Sequence, residues 1–258
     1  KSAFQTAVKP KHKHIPLFES LAFNFLSLMV WEYAKKNSGE LLDKLEEPEE
    51  GNPIRIYSEG KLVSQDLANS VLEYKSMTSA APELKNLKSV CEIGAGYGRN
   101  AYVFLKLMPG IKYIIIDIPP ALCISEKYLS TVFPDKKIFP YREFKSFAEI
   151  KEEFEKAQVL FFLPSQIELL PAGVADLFIN ISSLHEMRME QIKYYFTQIE
   201  RLTKKSGYFY FKQWKAAKVL FENIMIYEKD YPVENWEKVF WRESPVQVKF
   251  FESLLKLK

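Results

Sequence analysis

The sequence predicts an α/β fold. A mostly parallel sheet carries helices on both faces, with a C-terminal antiparallel strand pair and an N-terminal helical segment. Three observations support this. Short apolar runs recur from residue 87 onward ("LKSVCEI", "KYIIIDI", "QVLFFLP", "ADLFINIS"), as expected of strands covered on both faces. Helical stretches lie between them, and strand alternating with helix builds a parallel sheet. A glycine-rich turn, "CEIGAGYGRN", directly follows the first run.

Residues 1–80 read as a helical cap or oligomerisation segment, and 81–258 as the domain that holds the sheet. "KPKHKH" before "IPLFESLAFNFLSLMVW" imitates a targeting signal. Glu19, Ser20, Asn24 and Ser27 interrupt that run, which falls far short of a membrane span. Ser20, Asn24 and Ser27 form a narrow polar stripe with apolar residues around most of the rest. This predicts a largely buried helix, suited to a homo-oligomer interface. His12 and His14 read as part of a solvated tail. After the polar break "EEPEEGNP", "SQDLANSVLEYKSM" predicts a helix with Ser64 as N-cap. Asp66, Asn69 and Glu73 share one of its faces, and Val63, Leu67, Val71 and Tyr74 another.

The first two strands, "LKSVCEI" and "KYIIIDI", enclose a helix over 100–108 that Pro109-Gly110 stops. "SFAEIKEEFEKA" opens on a capping box, Ser146 to Glu149, and runs as a helix. "QVLFFLP" and "ADLFINIS" are the next strands. "MEQIKYYFTQIERL" then repeats apolar residues at helical intervals (Ile192, Phe196, Ile199). Gly207 breaks the chain before the strand "YFYFKQW", and "VFWRE" and "VQVKFFESL" predict the terminal pair.

The net charge of +3 over 258 residues is too small to imply a nucleic-acid surface. An aromatic share of 15% suggests a large core or an aromatic-lined pocket. Cys91 and Cys123 lie in or beside apolar segments without metal-ligand spacing. They read as buried reduced thiols, which fits a cytoplasmic location. No spaced set of aspartates or histidines argues for a metal.

In open parallel sheets ligands bind at the carboxyl ends of the strands. That rule places Gly94–Gly98, Asp117, Ser165–Gln166, Asn180–Glu186 and Lys212–Trp214 on one rim. A dinucleotide fingerprint needs glycine at the sixth place of G-x-G-x-x-G, where this chain has Arg99. Glu92 would place a carboxylate near a pyrophosphate, but suits a ligand carrying an ammonium and a sulfonium. Asp117 ends the second strand, where an acid can accept ribose hydroxyls. S-Adenosylmethionine has the ribose and the cationic end and no phosphate.

With those residues in place, the run from Leu87 to Trp214 resembles the class I SAM-dependent methyltransferases, whose fold is Rossmann-like. Glu92-Ile-Gly-Ala-Gly-Tyr-Gly98 matches their first motif and Asp117 their ribose-binding acid. "LPSQIELLPAGVADLFIN" and "ERLTKKSGYFYF" resemble the passages into the fourth and fifth strands. The resemblance implies a cofactor site of Glu92, Gly94, Ala95, Gly96, Tyr97, Gly98, Asp117, Ile118 and Asn180. The family's usual aspartate beside the adenine is absent, so Ser165 and Gln166 are expected there. A narrower set ("SQDLANSVLEY", "DIPPAL", "FPYREF", "SLHEM", "FKQW", "PVQVKFFE") is similar to a bacterial family of sugar O-methyltransferases. It implies a sugar hydroxyl as acceptor, within a surface polysaccharide or a glycosylated metabolite.

A sugar hydroxyl is a very weak acid, so a base must take its proton. His185 is the only histidine outside the N-terminal tail, and it follows the fourth strand at the rim with Glu186 beside it as the orienting group. Ser182, Lys212 and Trp214 are the expected acceptor contacts, Lys212 toward an anionic substituent. The Tyr97 ring is expected against the cationic cofactor, with Arg55, Tyr57 and the Asp66–Glu73 stripe closing over the site. Other readings stay open: a phenolic or other small hydroxylated acceptor, a non-catalytic methyltransferase-like module, and a nicotinamide enzyme. The intact first motif disfavours the module, and Arg99 disfavours the nicotinamide enzyme.

Overall fold

The computed structural model describes residues 17–219 and 224–258. His12, His14 and the basic patch around them lie outside the described residues. The chain opens with helix α1 (Leu17–Leu42), a hairpin of β1 (Ile56–Ser58) and β2 (Lys61–Val63), and helix α2 (Gln65–Ala80). The hairpin is an element that the mostly helical reading of this segment does not include. Glu59 and Gly60 both take positive φ (50° and 79°), the two-residue turn that matches strand twist. Val63 therefore ends β2 and is no part of the α2 face. Ser64 caps α2 as expected, its Oγ accepting from the Leu67 amide at 3.0 Å.

The α/β part follows as β3 (Ser89–Ile93), α3 (Arg99–Leu107), β4 (Lys112–Ile116), α4 (Pro119–Val132), β5 (Ile138–Phe139), α5 (Lys151–Lys156), β6 (Val159–Phe162), β7 (Ala175–Ile181), α6 (Met189–Leu202) and β8 (Thr203–Trp214). After a short ribbon of β9 (Ala216–Lys218) and β10 (Met225–Tyr227), β11 (Trp236–Glu243) and β12 (Phe250–Leu257) close the chain. The eight-stranded sheet has the order β11-β12-β8-β7-β3-β4-β6-β5. Strands β5 to β8 with β3 and β4 run parallel, and β12 lies antiparallel between β8 and β11. The strand order reverses at β3, which has β4 on one side and β7 on the other. Ligand crevices open at such points.

Successive side chains of a strand face opposite sides, and two cores result. Val90 joins Trp31, Leu67, Val71 and Ala101 on the face covered by α1, α2 and α3. Cys91 and Ile93 join Phe154, Ile192, Phe196 and Ile199 on the other. The N-terminal segment thus shares a core with the sheet.

Several local expectations change. Helix α4 is an unpredicted element, started by prolines in its first turn. The Ser146–Glu149 box does not cap a helix. The two side chains meet at 3.2 Å, but residues 147–149 form a 3-10 turn and no side chain caps the backbone. Gly207 lies inside a continuous β8, at a shift in the β7–β8 register. A Cβ there would come within 2.8 Å of the Lys204 carbonyl. Helix α1 is not largely buried: Leu21, Phe25, Leu26 and Met29 are exposed while Ser27 is buried. With apolar residues on every side of that helix, its pattern could not say which face turns inward. Cys91 is buried but Cys123 is exposed, and both are free. Among the described residues no helix is long and apolar enough to cross a membrane.

Candidate active site

The glycine turn sits between β3 and α3, at the reversal of strand order. Gly94 has φ +75°, and its amide donates to the Ile116 carbonyl at 2.9 Å. A Cβ on it would fall 2.4 Å from Ser183 Oγ, so the turn and the loop after β7 approach as only glycine permits. Gly96 has φ +62°, and a Cβ there would meet nothing within 4 Å. The backbone at Gly96 faces open space. Its amide donates to Asp117 Oδ2 at 2.8 Å, while Asp117 Oδ1 accepts from Ile118 N, also at 2.8 Å. Burial pushes the Asp117 carboxyl up from its ordinary value, opposed by these two amides. Each oxygen keeps a lone pair for a hydroxyl donor. The adjacent Ile118 side chain is exposed.

Four of the residues expected to contact the cofactor are already engaged within the protein. Glu92 is 2% exposed, and its two oxygens accept from Asn100 Nδ2 (3.0 Å) and Tyr113 Oη (2.7 Å). It faces the core beneath the turn because the β3 alternation puts it with Val90. Burial raises its pKa, against those two hydrogen bonds. Tyr97 packs inward, edge-on to Tyr128 at 5.4 Å with its hydroxyl 3.3 Å from Asp66, so its ring is taken. Gln166 is spent locally, accepting from Leu163 N (2.9 Å) and donating to the Arg142 carbonyl (2.8 Å). Neighbouring Ser165 is exposed. Asn180 is fully buried. It donates to the Ile93 carbonyl (2.8 Å) and Ser183 Oγ (2.6 Å), tying β7 to β3 and to its own loop. Ala95, also buried, completes the turn.

A hydrogen-bonded chain runs from Asn180 to His185 through Gln213, a residue the sequence reading passed over. Gln213 Nε2 donates to Asn180 Oδ1 at 2.5 Å. Its carbonyl end therefore faces His185, 2.8 Å from Nδ1. That arrangement holds the proton on Nδ1 and leaves the Nε2 lone pair as acceptor. Burial pushes the His185 pKa down, opposed by the Gln213 bond and by Glu186. The orienting group is thus Gln213, while Glu186 is exposed. Gln213 could be found only by pairing the rim ends of β7 and β8. Ser182, at φ +59°, donates its amide to the Lys212 carbonyl at 2.9 Å. The half-exposed Trp214 ring lies 6.1 Å from the His185 ring.

Lys212 is 3% exposed and donates to Glu73 Oε1 at 3.0 Å. It is committed inside the protein and not free for an anionic substituent. Arg99 bonds the same carboxylate. Burial pushes the Glu73 pKa up, but the two cations outweigh it and hold the group below the usual carboxylate range. Of the stripe on α2, Asn69 and Glu73 line a cavity while Asp66 meets Tyr97. Arg55 and Tyr57 are exposed on the hairpin.

No family model and no curated protein matches the sequence. Solved structures do. A Galdieria sulphuraria protein proposed to be a sarcosine dimethylglycine methyltransferase aligns at TM-score 0.50 and 11% identity, over 73% of this chain and 87% of its own. The mitomycin 7-O-methyltransferase MmcR aligns at TM-score 0.49 and 11% identity, over 74% of this chain. This chain spans 57% of MmcR's length. A SAM-dependent methyltransferase from Aquifex aeolicus aligns at TM-score 0.45 and 13% identity, over 72% and 89%. Strand order, the reversal at β3 and the likeness to the Galdieria protein agree: the chain has the Rossmann-like fold of the class I methyltransferases.

Proposed function

We propose that this chain is a SAM-dependent O-methyltransferase acting on a hydroxyl of a sugar. One observation carries the cofactor assignment: Asp117 tethers the Gly96 amide at the one stretch of the turn that faces open space. A cationic, ribose-bearing ligand fits that pairing, and Asp117 has lone pairs left for a diol. The Gly94–Gly98 backbone, Asp117, Ile118 and Ser165 would hold S-adenosylmethionine, which supplies a methyl group already activated by its sulfonium.

The chain's own residues do the rest. Gln213 holds the Nδ1–H tautomer of His185, and Nε2 takes the acceptor hydroxyl's proton as the oxygen becomes a nucleophile. The lowered pKa keeps the imidazole neutral and ready at cellular pH. Support for a sugar comes from the resemblance of the short motifs "DIPPAL", "SLHEM" and "FKQW" to those of the sugar O-methyltransferases. A phenolic acceptor is the second reading, favoured by the half-exposed Trp214 ring beside His185. Apolar Leu21, Phe25, Leu26 and Met29 on α1 support a homo-oligomer, which light scattering measures.

Calorimetric titration with S-adenosylmethionine, S-adenosylhomocysteine, NAD and NADP tests the cofactor assignment. Binding of the first pair alone is expected, and nicotinamide binding without the first pair would overturn it. An acceptor screen with methyl-labelled cofactor then separates sugar from phenol.

A further inference from the structure

We infer that the cavity enclosed by α1, α2 and the β11–β12 connection binds a small organic carboxylate, at a site apart from the candidate active site. The cavity holds about 440 Å³, inside the range of about 300–1,000 Å³ usual for small-molecule sites. Among the described residues, none of the Gly94–Gly98 turn or of the His185 loop lines it. Its charged lining is Glu73 and Lys75 on α2, Lys212 on β8, Arg242 on β11 and Glu252 on β12. The acids are sunk in the wall, with side chains 2% and 3% exposed, whereas Arg242 and Lys75 keep 51% and 38%. The charge that a ligand can reach is cationic.

Both acids are also spent. Glu73 accepts from Arg99 and Lys212, and Glu252 accepts from Ser76 (3.0 Å), Tyr210 (2.9 Å) and Arg242 (2.7 Å). With Arg99 behind Glu73 and Glu40 on Lys75, four cations meet three carboxylates. The excess lies at Glu73, where two cations share one carboxylate, and charge left uncompensated away from water is costly. A monoanion balances it, whereas a phosphate dianion overshoots. Lys212, 3% exposed, contributes its charge rather than a hydrogen bond.

Donors are left over as well. Arg242 spends Nε on Glu252 and Nη2 on Ser76 (2.7 Å). Its Nη1, with two protons, has no partner among the described residues, and a guanidinium edge suits a carboxylate. The Lys75 ammonium pairs with Glu40, whose side chain is 70% exposed, and a pair in water is readily exchanged. Ser244, in the β11–β12 connection, is 2% exposed, and its hydroxyl makes no hydrogen bond among the described residues. Unlike the sealed Ser38 hydroxyl, it can be reached from the cavity it lines. Buried polar groups normally find partners, and a carboxylate oxygen would accept from this one. Leu72, Pro245 and Val246 add apolar wall for the carbon body of the ligand.

Calorimetry on the full chain tests this with benzoate, cinnamate and hexanoate, the amide of each, and phenyl phosphate. At least one carboxylate should bind, tighter than its amide by about tenfold or more, the worth of one charge-assisted hydrogen bond. Phenyl phosphate should bind more weakly than the best carboxylate. Arg242→Gln should weaken that carboxylate by about tenfold or more, and Lys75→Gln and Ser244→Ala each by about two- to tenfold. The melting temperature of Ser244→Ala should hold, because the hydroxyl removed has no partner in the protein. Absence of carboxylate binding, amides that bind as tightly, or a preference for phenyl phosphate would each overturn the inference. So would wild-type affinity in both Lys75→Gln and Ser244→Ala. Those two variants keep the test should Arg242→Gln, which strips a partner from buried Glu252, fail to fold. Loss or gain of S-adenosylmethionine binding bears on the methyl-transfer reading alone.

Discussion

Arg99 grips Glu73 with both ends of its guanidinium, at 2.7 and 3.2 Å. The residue whose side chain spoils a dinucleotide fingerprint is the one that fastens α2 to the start of α3. Lys212 completes the cluster from β8, so three segments distant in sequence meet on one buried carboxylate. Removing one member of such a cluster leaves the others charged and buried.

Glu73→Ala should accordingly destabilise the fold by about 3–5 kcal/mol. Urea unfolding of the variant measures it. A loss well under 1 kcal/mol would mean that water replaces the carboxylate freely.

Cofactor affinity should fail at two positions for different reasons. Gly96→Leu puts a side chain into the open space over the turn and should abolish S-adenosylmethionine binding, while the positive φ costs about 1–2 kcal/mol of stability. Asp117→Ala should weaken binding by about 1.5–3 kcal/mol for each charge-assisted bond lost. Calorimetry reads both, and an unchanged Kd in Asp117→Ala would place the ribose elsewhere.

Turnover should depend on His185 and on the residue that holds it. His185→Ala should lower kcat by about 10²–10⁴-fold with cofactor affinity intact. Because burial lowers the His185 pKa, the wild-type rate should rise with pH along a limb centred below the ordinary histidine value of about 6.5 and stay flat above it. Gln213→Leu removes the partner of Nδ1 and of Asn180. It should lower kcat and shift that limb, whereas a purely structural role would leave the limb in place.

Stability should fall on the alkaline side through Glu47. Burial raises its carboxyl to about 7, against the Ser64 hydrogen bond. A carboxyl raised by folding favours the folded state while protonated. Its contribution is full below pH 4.5 and is lost as pH rises through about 7. Glu47→Gln should flatten that part of the melting-temperature profile, which thermal scans between pH 5 and pH 8 would show.

The sequence by itself determined the sheet, its mostly parallel sense and the rim, because those follow from local signals. Buried strands read as unbroken apolar runs, glycines mark the turn, and Asp117 ends a strand. It also determined the Ser64 cap, where one hydroxyl meets an amide three residues on. What only the tertiary structure decided is which polar groups are free to meet a ligand. Glu92 and Asp117 are both acids at strand ends. Strand parity buries Glu92 against Asn100 and Tyr113, while Asp117 is left at the turn. Adjacency in sequence pointed to Glu186 as the partner of His185, yet Gln213, 28 residues away, holds the ring, because β7 and β8 end side by side. Lys212 reads in sequence as a contact for an anionic substituent, yet the α2 carboxylate of Glu73 takes it inside the protein. Hydrogen-bond commitment depends on neighbours across the sheet, and one chain read in order does not contain that distance.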